Sequence, residues 1–122
     1  MIKFKNLFSF TQKEIDYAFK NVKGVKKSTG LRLMQAPLLP DVSDKIDLPS
    51  QPHGKLLIIT PRKTGKAHIR NLLRRRAKAI FYTHKLYQKP VSSILSLYHE
   101  AASLSFEQLE AFLLSCFPES KP

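Results

Sequence analysis

Arg62, Lys63, Lys66, Arg70, Arg74, Arg75, Arg76 and Lys78 fall within one short stretch of the chain, TPRKTGKAHIRNLLRRRAKAIF from Thr60 to Phe81, and no Asp or Glu occurs between Leu48 and His99. Guanidinium and ammonium groups at this density are suited to neutralising phosphates and releasing their counterions. A solvated helix normally interleaves glutamates with its cations for i,i+4 support, so a run without acids calls for a polyanion. If the stretch is helical from about Gly65, at about 100° per residue, Arg70, Arg74, Lys78 and Lys85 form one ridge with Asn71, Arg75 and Tyr82 beside it. Ile69, Leu72, Leu73 and Ile80 then fall on the other side, facing a core. Arg76 projects into that apolar stripe, where it must snorkel or pair.

Groups for catalysis are scarce. Thr64-Gly-Lys-Ala67 has the look of a phosphate-binding P-loop fragment, but it lacks the earlier glycine and the Ser/Thr after the lysine. His53, His68, His84 and His99 are widely spaced and form no metal-ligand pattern. Glu14 fits a helix cap, Asp41, Asp44 and Asp47 lie in a loop, and Glu107 and Glu110 sit at a helix start, so no set of acids converges for two-metal chemistry. Cys116, the single cysteine, has no partner for a disulfide or a thiolate cluster, and its neighbours Phe112, Leu113 and Phe117 make it a small core hydrophobe. On these residues the polypeptide is a binder with no catalytic side chains and no bound metal or cofactor of its own.

A chain of 122 residues is expected to form one domain with a single core. Hydrophobic residues at 43% and charged residues at 25% are ordinary for a globular protein, whereas a net charge of +12 is not. That charge points to nucleic acid first and to an anionic membrane second. No apolar run approaches the ~18 residues of a membrane span, and MIKFKNLFSF has too short an apolar stretch for a signal peptide. The expectation is a soluble, cytoplasmic, nucleic-acid-binding protein with no membrane partner.

The elements that must position the basic stretch follow from local pattern. Residues 1–10 lack a clear period and serve as an extended lead-in. Thr11 and Glu14 fit a capping box that opens a helix from Gln12 to about Lys23, stopped by Gly24, with Ile15, Ala18, Phe19 and Val22 at helical spacing. On that spacing alone, Ile15 and Phe19 face the core. Leu31 to Ala36 alternates as a strand, with Leu31 and Leu33 on one face and Arg32 and Met34 on the other. The Pro/Asp-rich segment at 37–54 is expected to be a long, mobile loop, and the termini to be short and flexible. Lys55 to Thr60 is a buried strand leading into the basic helix, and Val91 to Tyr98 is another strand despite Ser92, Ser93 and Ser96. Ser105 and Gln108 form a second capping-box start to a last helix, whose stripe of Phe106, Leu109, Phe112, Leu113, Cys116 and Phe117 faces the core until Pro118 ends it. The order makes an α+β or α/β sandwich with a small sheet.

The run Arg62-Lys63-Thr64-Gly65-Lys66-Ala67, then Arg70-Asn71, Arg74-Arg75-Arg76, Lys78 and Phe81, resembles without a gap the signature K-K-x-G-x-A-x-x-R-N-R-x-K-R-x-x-R-E-x-F of the bacterial ribonuclease P protein component. Glu14-Ile15 and Ala18-Phe19 are similar to that family's first-helix D-F-x-x-V-F, and Leu104 to Leu109 to its last-helix L-S-F-x-E-L. The resemblance implies an αβββαβα fold of the ribosomal S5 domain 2 type: three helices and a mainly antiparallel sheet of about four strands, with a left-handed βαβ crossover. Its fourth strand would lie near Val22 to Lys27 or inside the long loop. It also implies the protein subunit of a ribozyme that removes the 5′ leader of precursor tRNA, with catalysis and Mg²⁺ belonging to the RNA-containing holoenzyme. Arg62, Lys63, Lys66, Arg70, Asn71, Arg74, Arg75 and Lys78 would then bind the catalytic RNA, and Ile15, Phe19, Arg32 and Met34 would line the leader cleft. Leu72 stands where the family has the second arginine of R-N-R and Ala79 where it has glutamate. Ile15 replaces an aromatic, and Met34 falls where a strand tyrosine is common.

Two alternatives remain beside this one. A structural RNA-binding protein of ribosomal type would carry the same basic helix. A DNA-binding helix-turn-helix suits the pattern less well, because a strand enters the basic helix directly with no preceding short helix and turn.

Overall fold

The computed structural model describes residues 7–37, 54–89 and 91–117. The interior of the Pro/Asp-rich loop, both chain ends and Pro118 lie outside the described residues. The elements run α1 (Gln12–Lys20), β1 (Gly24–Ser28), β2 (Leu31–Pro37), β3 (Lys55–Ile59), α2 (Ala67–Thr83), β4 (Val91–Leu97) and α3 (Phe106–Ser115), the αβββαβα order. Short 3-10 turns at Arg62–Thr64, Leu86–Gln88 and His99–Ser103 join them.

Both expected capping boxes form. Thr11 Oγ1 accepts from the Glu14 amide and Glu14 Oε1 accepts from the Thr11 amide; Ser105 and Gln108 exchange the same two bonds at the start of α3. The first helix is shorter than its periodicity suggests. It ends at Lys20, with Asn21 as C-cap donating its side-chain amide to Tyr17 O at 2.8 Å. By Lys23 the backbone already donates to Gln35 O at 2.8 Å, so sheet pairing captures the residues that helical spacing would have continued into. Gly24 therefore opens β1 instead of capping α1, and the fourth strand is the one near Val22 to Lys27.

Among the described residues the sheet is four-stranded and mixed, in the order β1-β2-β4-β3. β1 with β2 and β2 with β4 are antiparallel, while β3 and β4 are parallel. α2 makes the crossover between those parallel neighbours, the connection for which the resemblance implies a left-handed turn. The β1–β2 turn needs Gly30: its φ is 72°, and a Cβ there would meet the Ala101 backbone nitrogen at 2.4 Å.

Helices lie against both sheet faces. Leu31 and Leu33 of β2, Leu56 of β3 and Leu95 and Leu97 of β4 join Leu73, Ala77, Ile80 and Phe81 of α2 and Leu109 and Leu113 of α3 in the main core. On the other face Ala18 of α1 packs with Met34, Ala36 and Ile94 in a smaller cluster. β4 is thus covered on both sides, which is why Ser92, Ser93 and Ser96 are buried in a strand that looked only half apolar. Leu7 is fully part of the main core, so the lead-in is anchored from Leu7 onward, while residues 1–6 lie outside the described residues. Cys116 is buried there too, and burial pushes its thiol up, keeping it protonated. β1 differs from the other strands in being exposed along its whole length.

Candidate nucleic-acid interface

The basic segment is a turn followed by a helix. Arg62, Lys63 and Thr64 form a 3-10 turn, and α2 begins only at Ala67, with Lys66 as its N-cap. Thr64 is buried and donates its hydroxyl to Leu97 O at 2.5 Å, pinning the turn to the end of β4. Gly65 sits at φ 151°, a conformation side-chain-bearing residues rarely adopt, and its carbonyl accepts from Arg70 Nε at 3.1 Å. Thr64 and Gly65 thus belong to the turn that presents Arg62, Lys63 and Lys66, all exposed.

Along α2, His68, Asn71, Arg74, Arg75 and Lys78 line a shallow, open concavity of about 550 Å³. Arg74 donates through Nη1 to Thr60 Oγ1 at 2.5 Å and through Nη2 to Asn71 Oδ1. A guanidinium carries five donors, so Arg74 keeps others for a ligand while these two contacts fix its plane. Arg75 is exposed, and Lys78 is half-buried with its ammonium 5.5 Å from the centre of the Phe8 ring. No acid occurs in the first turn of α2.

Two positions depart from the helical wheel, and a third behaves as it requires. Leu72 is not on the core face; it is 37% exposed beside the basic ridge, because the helix buries the Leu73, Ala77, Ile80 and Phe81 line. Lys85 does not extend the ridge as a helical residue, since α2 ends at Thr83 and Lys85 takes a left-handed conformation at φ 51°. Arg76 is half-buried and reaches the Leu104 carbonyl through Nη1 at 3.4 Å, which is the snorkelling its position demands.

The second candidate surface lies where α1 crosses the sheet. Phe19 is 48% exposed and so is not the core residue its spacing suggests, while Ile15 is half-buried. Met34 is only 7% exposed, sitting beneath α1 with Ala18 and Ile94. Arg32 is half-buried, and its buried Nε has no hydrogen-bond partner among the described residues. Val25, exposed on β1, pairs with Met34 across the strands and continues this face outward. Arg32 itself lines a shallow concavity with Lys27, Ser28, Gly30, Leu31, Tyr98 and Glu100.

One tether was invisible in the sequence. Lys55 at the start of β3 donates to both Glu14 oxygens, at 3.2 and 2.9 Å, and lies 5.1 Å from the centre of the Phe10 ring. Burial pushes the Glu14 carboxyl up, but Lys55 and the Thr11 hydrogen bonds outweigh it and hold the group below its ordinary value. No local signal marks a pair so distant along the chain. With Arg74 bound to Thr60 just past its other end, β3 is the strut from which α1 and the basic ridge are both set. A further pair, His84 Nε2 and Glu110 Oε2 at 2.7 Å, ties the end of α2 to α3. Among the described residues no helix is long and apolar enough to cross a membrane.

The family model for Ribonuclease P matches residues 10–120 of this chain. The ribonuclease P protein component of Onion yellows phytoplasma (strain OY-M) is 36% identical over 64 residues, a segment covering 52% of this chain and 45% of that relative, so the match spans less than half the relative's length. The ribonuclease P protein of Staphylococcus aureus superposes with a TM-score of 0.70 at 17% identity, over 94% of this chain and 95% of the other. That of Thermotoga maritima superposes with a TM-score of 0.70 at 18% identity, over 94% and 98% respectively. At those identities the superpositions establish the fold, whereas the family match reaches through the capped first helix, the basic turn and α2 to the last helix: this chain belongs to the ribonuclease P protein family.

Proposed function

We propose that this chain is the protein subunit of ribonuclease P, binding the catalytic RNA and the 5′ leader of precursor tRNA and so assisting endonucleolytic formation of mature tRNA 5′ ends. One observation carries the reading. A helix and turn bearing Arg62, Lys63, Lys66, Arg70, Asn71, Arg74, Arg75 and Lys78 stand in a stretch without acids, and Arg70 and Arg74 are held in place by Gly65, Thr60 and Asn71. Such a surface meets phosphates with little ordering left to do. The leader would lie against Ile15, Phe19, Arg32 and Met34, with the exposed Phe19 ring for a base and Arg32 Nε, which has no hydrogen-bond partner among the described residues, for a phosphate or base edge. Ile15 cannot stack as an aromatic can, so Phe19 carries that role alone on α1.

The protein's part is electrostatic. By neutralising phosphates on both RNAs it reduces their repulsion and favours Mg²⁺ occupancy near the scissile bond at lower metal concentration. Mg²⁺ would be held by the RNA; among the described residues no group of three or more His, Cys, Asp or Glu is placed to hold a metal ion. Hydrolysis would likewise belong to the RNA.

The test is reconstitution with the ribonuclease P RNA of the same source. The chain alone should leave precursor tRNA intact, and adding it to the RNA at low Mg²⁺ should stimulate leader removal. A folded cognate RNA that gains nothing from the protein, together with co-fractionation of the protein with ribosomal RNA, would sink the proposal in favour of a ribosomal-type structural role.

A further inference from the structure

On the α3 side of the sheet a shallow, open concavity of about 570 Å³ runs between β1 with its turn and α3. Lys26 and Lys27 stand on one wall, Ala111 on the other, and Leu31, Leu104 and Phe112 give it an apolar lining. Among the described residues no acid lines it. The Lys26 ammonium donates across the groove to the Ser115 carbonyl at 3.3 Å, tying strand to helix; an ammonium has three donors, so one bond does not exhaust it. Lys27 also lines the concavity of Arg32, which includes one acid, Glu100, and it is the strand partner of Arg32. Arg32 alternates with Leu31 and Leu33 and so lies on the α1 side of the sheet. Cations therefore run from Arg32 over the β1 edge, through Lys27, to Lys26 on the α3 side.

Lysines along an exposed edge strand are common without a ligand, but the edge does not explain an apolar, acid-free groove beside them. We propose that this groove holds the upstream part of a single-stranded precursor-tRNA leader, with phosphates on Lys26 and Lys27 and a base against Leu31, Leu104 and Phe112. The proposal rests on the reading that Phe19 and Arg32 meet the leader nearer the cleavage point, and it extends the leader's path around the β1 edge. Charge complementarity selects a polyanion, and the apolar lining selects one whose bases are uncovered, since a duplex keeps its base faces stacked inside. Position selects the substrate over the catalytic RNA. The cationic ridge of α2 is tied through Arg74 to Thr60, just past β3, and β3 and β1 are opposite ends of the strand order. An RNA docked on that ridge reaches the β1 edge only by crossing the sheet, whereas a leader lying at Arg32 is already there.

The experiment measures binding of two precursor tRNAs to holoenzyme reconstituted from the full chain and ribonuclease P RNA of the same source, with Ca²⁺ in place of Mg²⁺ so that binding is read without turnover. Their leaders are about 4 and about 16 nucleotides long, the range of single-strand site sizes. Wild type should bind the long leader at least about fivefold more tightly, the low end for one stacked base, with a log-log salt slope steeper by about 1.4 for two single-strand phosphates. Lys26→Glu combined with Lys27→Glu keeps like charges on the β1 edge. It should erase both differences while short-leader binding stays within about twofold of wild type. At the exposed Ala111 glutamate and lysine are both good helix formers; Ala111→Glu should erase the affinity gain, and Ala111→Lys should enlarge it, a result only a folded variant can give. Equal affinity of wild type for both leaders, or a gain that persists in the glutamate variants, would overturn the proposal and leave the groove to an acidic protein partner. Weaker assembly of those variants with the catalytic RNA, in the absence of precursor tRNA, would overturn it in favour of that RNA. Holoenzyme that binds neither precursor better than the RNA alone would refute leader binding by this protein altogether, and the role of the groove with it.

Discussion

Arg70, Arg74 and Arg75 are close in sequence and differ in what the fold asks of them. Arg70 and Arg74 hold their own scaffold, through Gly65, Thr60 and Asn71, while Arg75 stands free in solvent for a ligand. Leu72, exposed on the flank of the same helix, stands where the family signature has arginine, so the proposed RNA surface would be one phosphate contact short there. Leu72→Arg should therefore tighten binding to ribonuclease P RNA and steepen the log-log salt slope by about 0.7–0.9, read from titrations at several NaCl concentrations. Lys85 occupies a left-handed conformation that costs an ordinary L-residue about 1–2 kcal/mol and that asparagine tolerates better. Lys85→Asn should raise the thermal midpoint by a few degrees, about 1 kcal/mol for a domain of this size. The same change should weaken RNA binding, so stability and affinity would move in opposite directions.

At the scale of elements, Glu14 and Lys55 decide where α1 sits. The carboxylate closes the capping box and accepts the ion pair, so its charge is needed twice. Its folded value lies below its ordinary 4.5, so its stabilising contribution is complete above that pH and is lost as the pH falls through the depressed folded value. Thermal midpoints measured from about pH 7 to about pH 3 should show this acid limb, and Lys55→Met should shrink it. The cost of that change near neutrality should be on the order of 1 kcal/mol, since the pair is partly solvated. The capping boxes at Thr11 and Ser105 were legible because both partners lie within one turn of each other. The end of α1 was not, because its competitor was Gln35, a partner in another strand. Phe19 and Leu72 show the same limit from the other side: helical spacing identifies apolar residues that share a face but not whether a neighbouring element covers it. The basic turn was readable as a cluster of cations, whereas its anchoring through Thr64 to Leu97 depended on a contact across the sheet.

The whole molecule carries +12, and the ridge concentrates much of it where no acid offsets it. Self-repulsion of that kind opposes the compact state, so added NaCl should raise the thermal midpoint of the free protein. In complex with RNA the sign should reverse, as salt dissociates the ligand that stabilises the fold. α2 joins the parallel strands β3 and β4, and through Leu73, Ala77, Ile80 and Phe81 it supplies one wall of the main core. The basic helix therefore cannot melt without opening the sheet, and charge on its outer side bears on the entire unit. Among the described residues the exposed strand β1 stands at the outer end of the strand order, where edge backbone groups would accept a strand from a second copy. Lys26 and Lys27 bring two like charges to any such encounter, and Lys26 is also held to the Ser115 carbonyl at the end of α3. On the proposed function, charge that attracts one polymer would thereby also keep the protein from making another of itself. Replacing both lysines with threonine should leave a folded chain that scatters light at concentrations where the wild type stays clear.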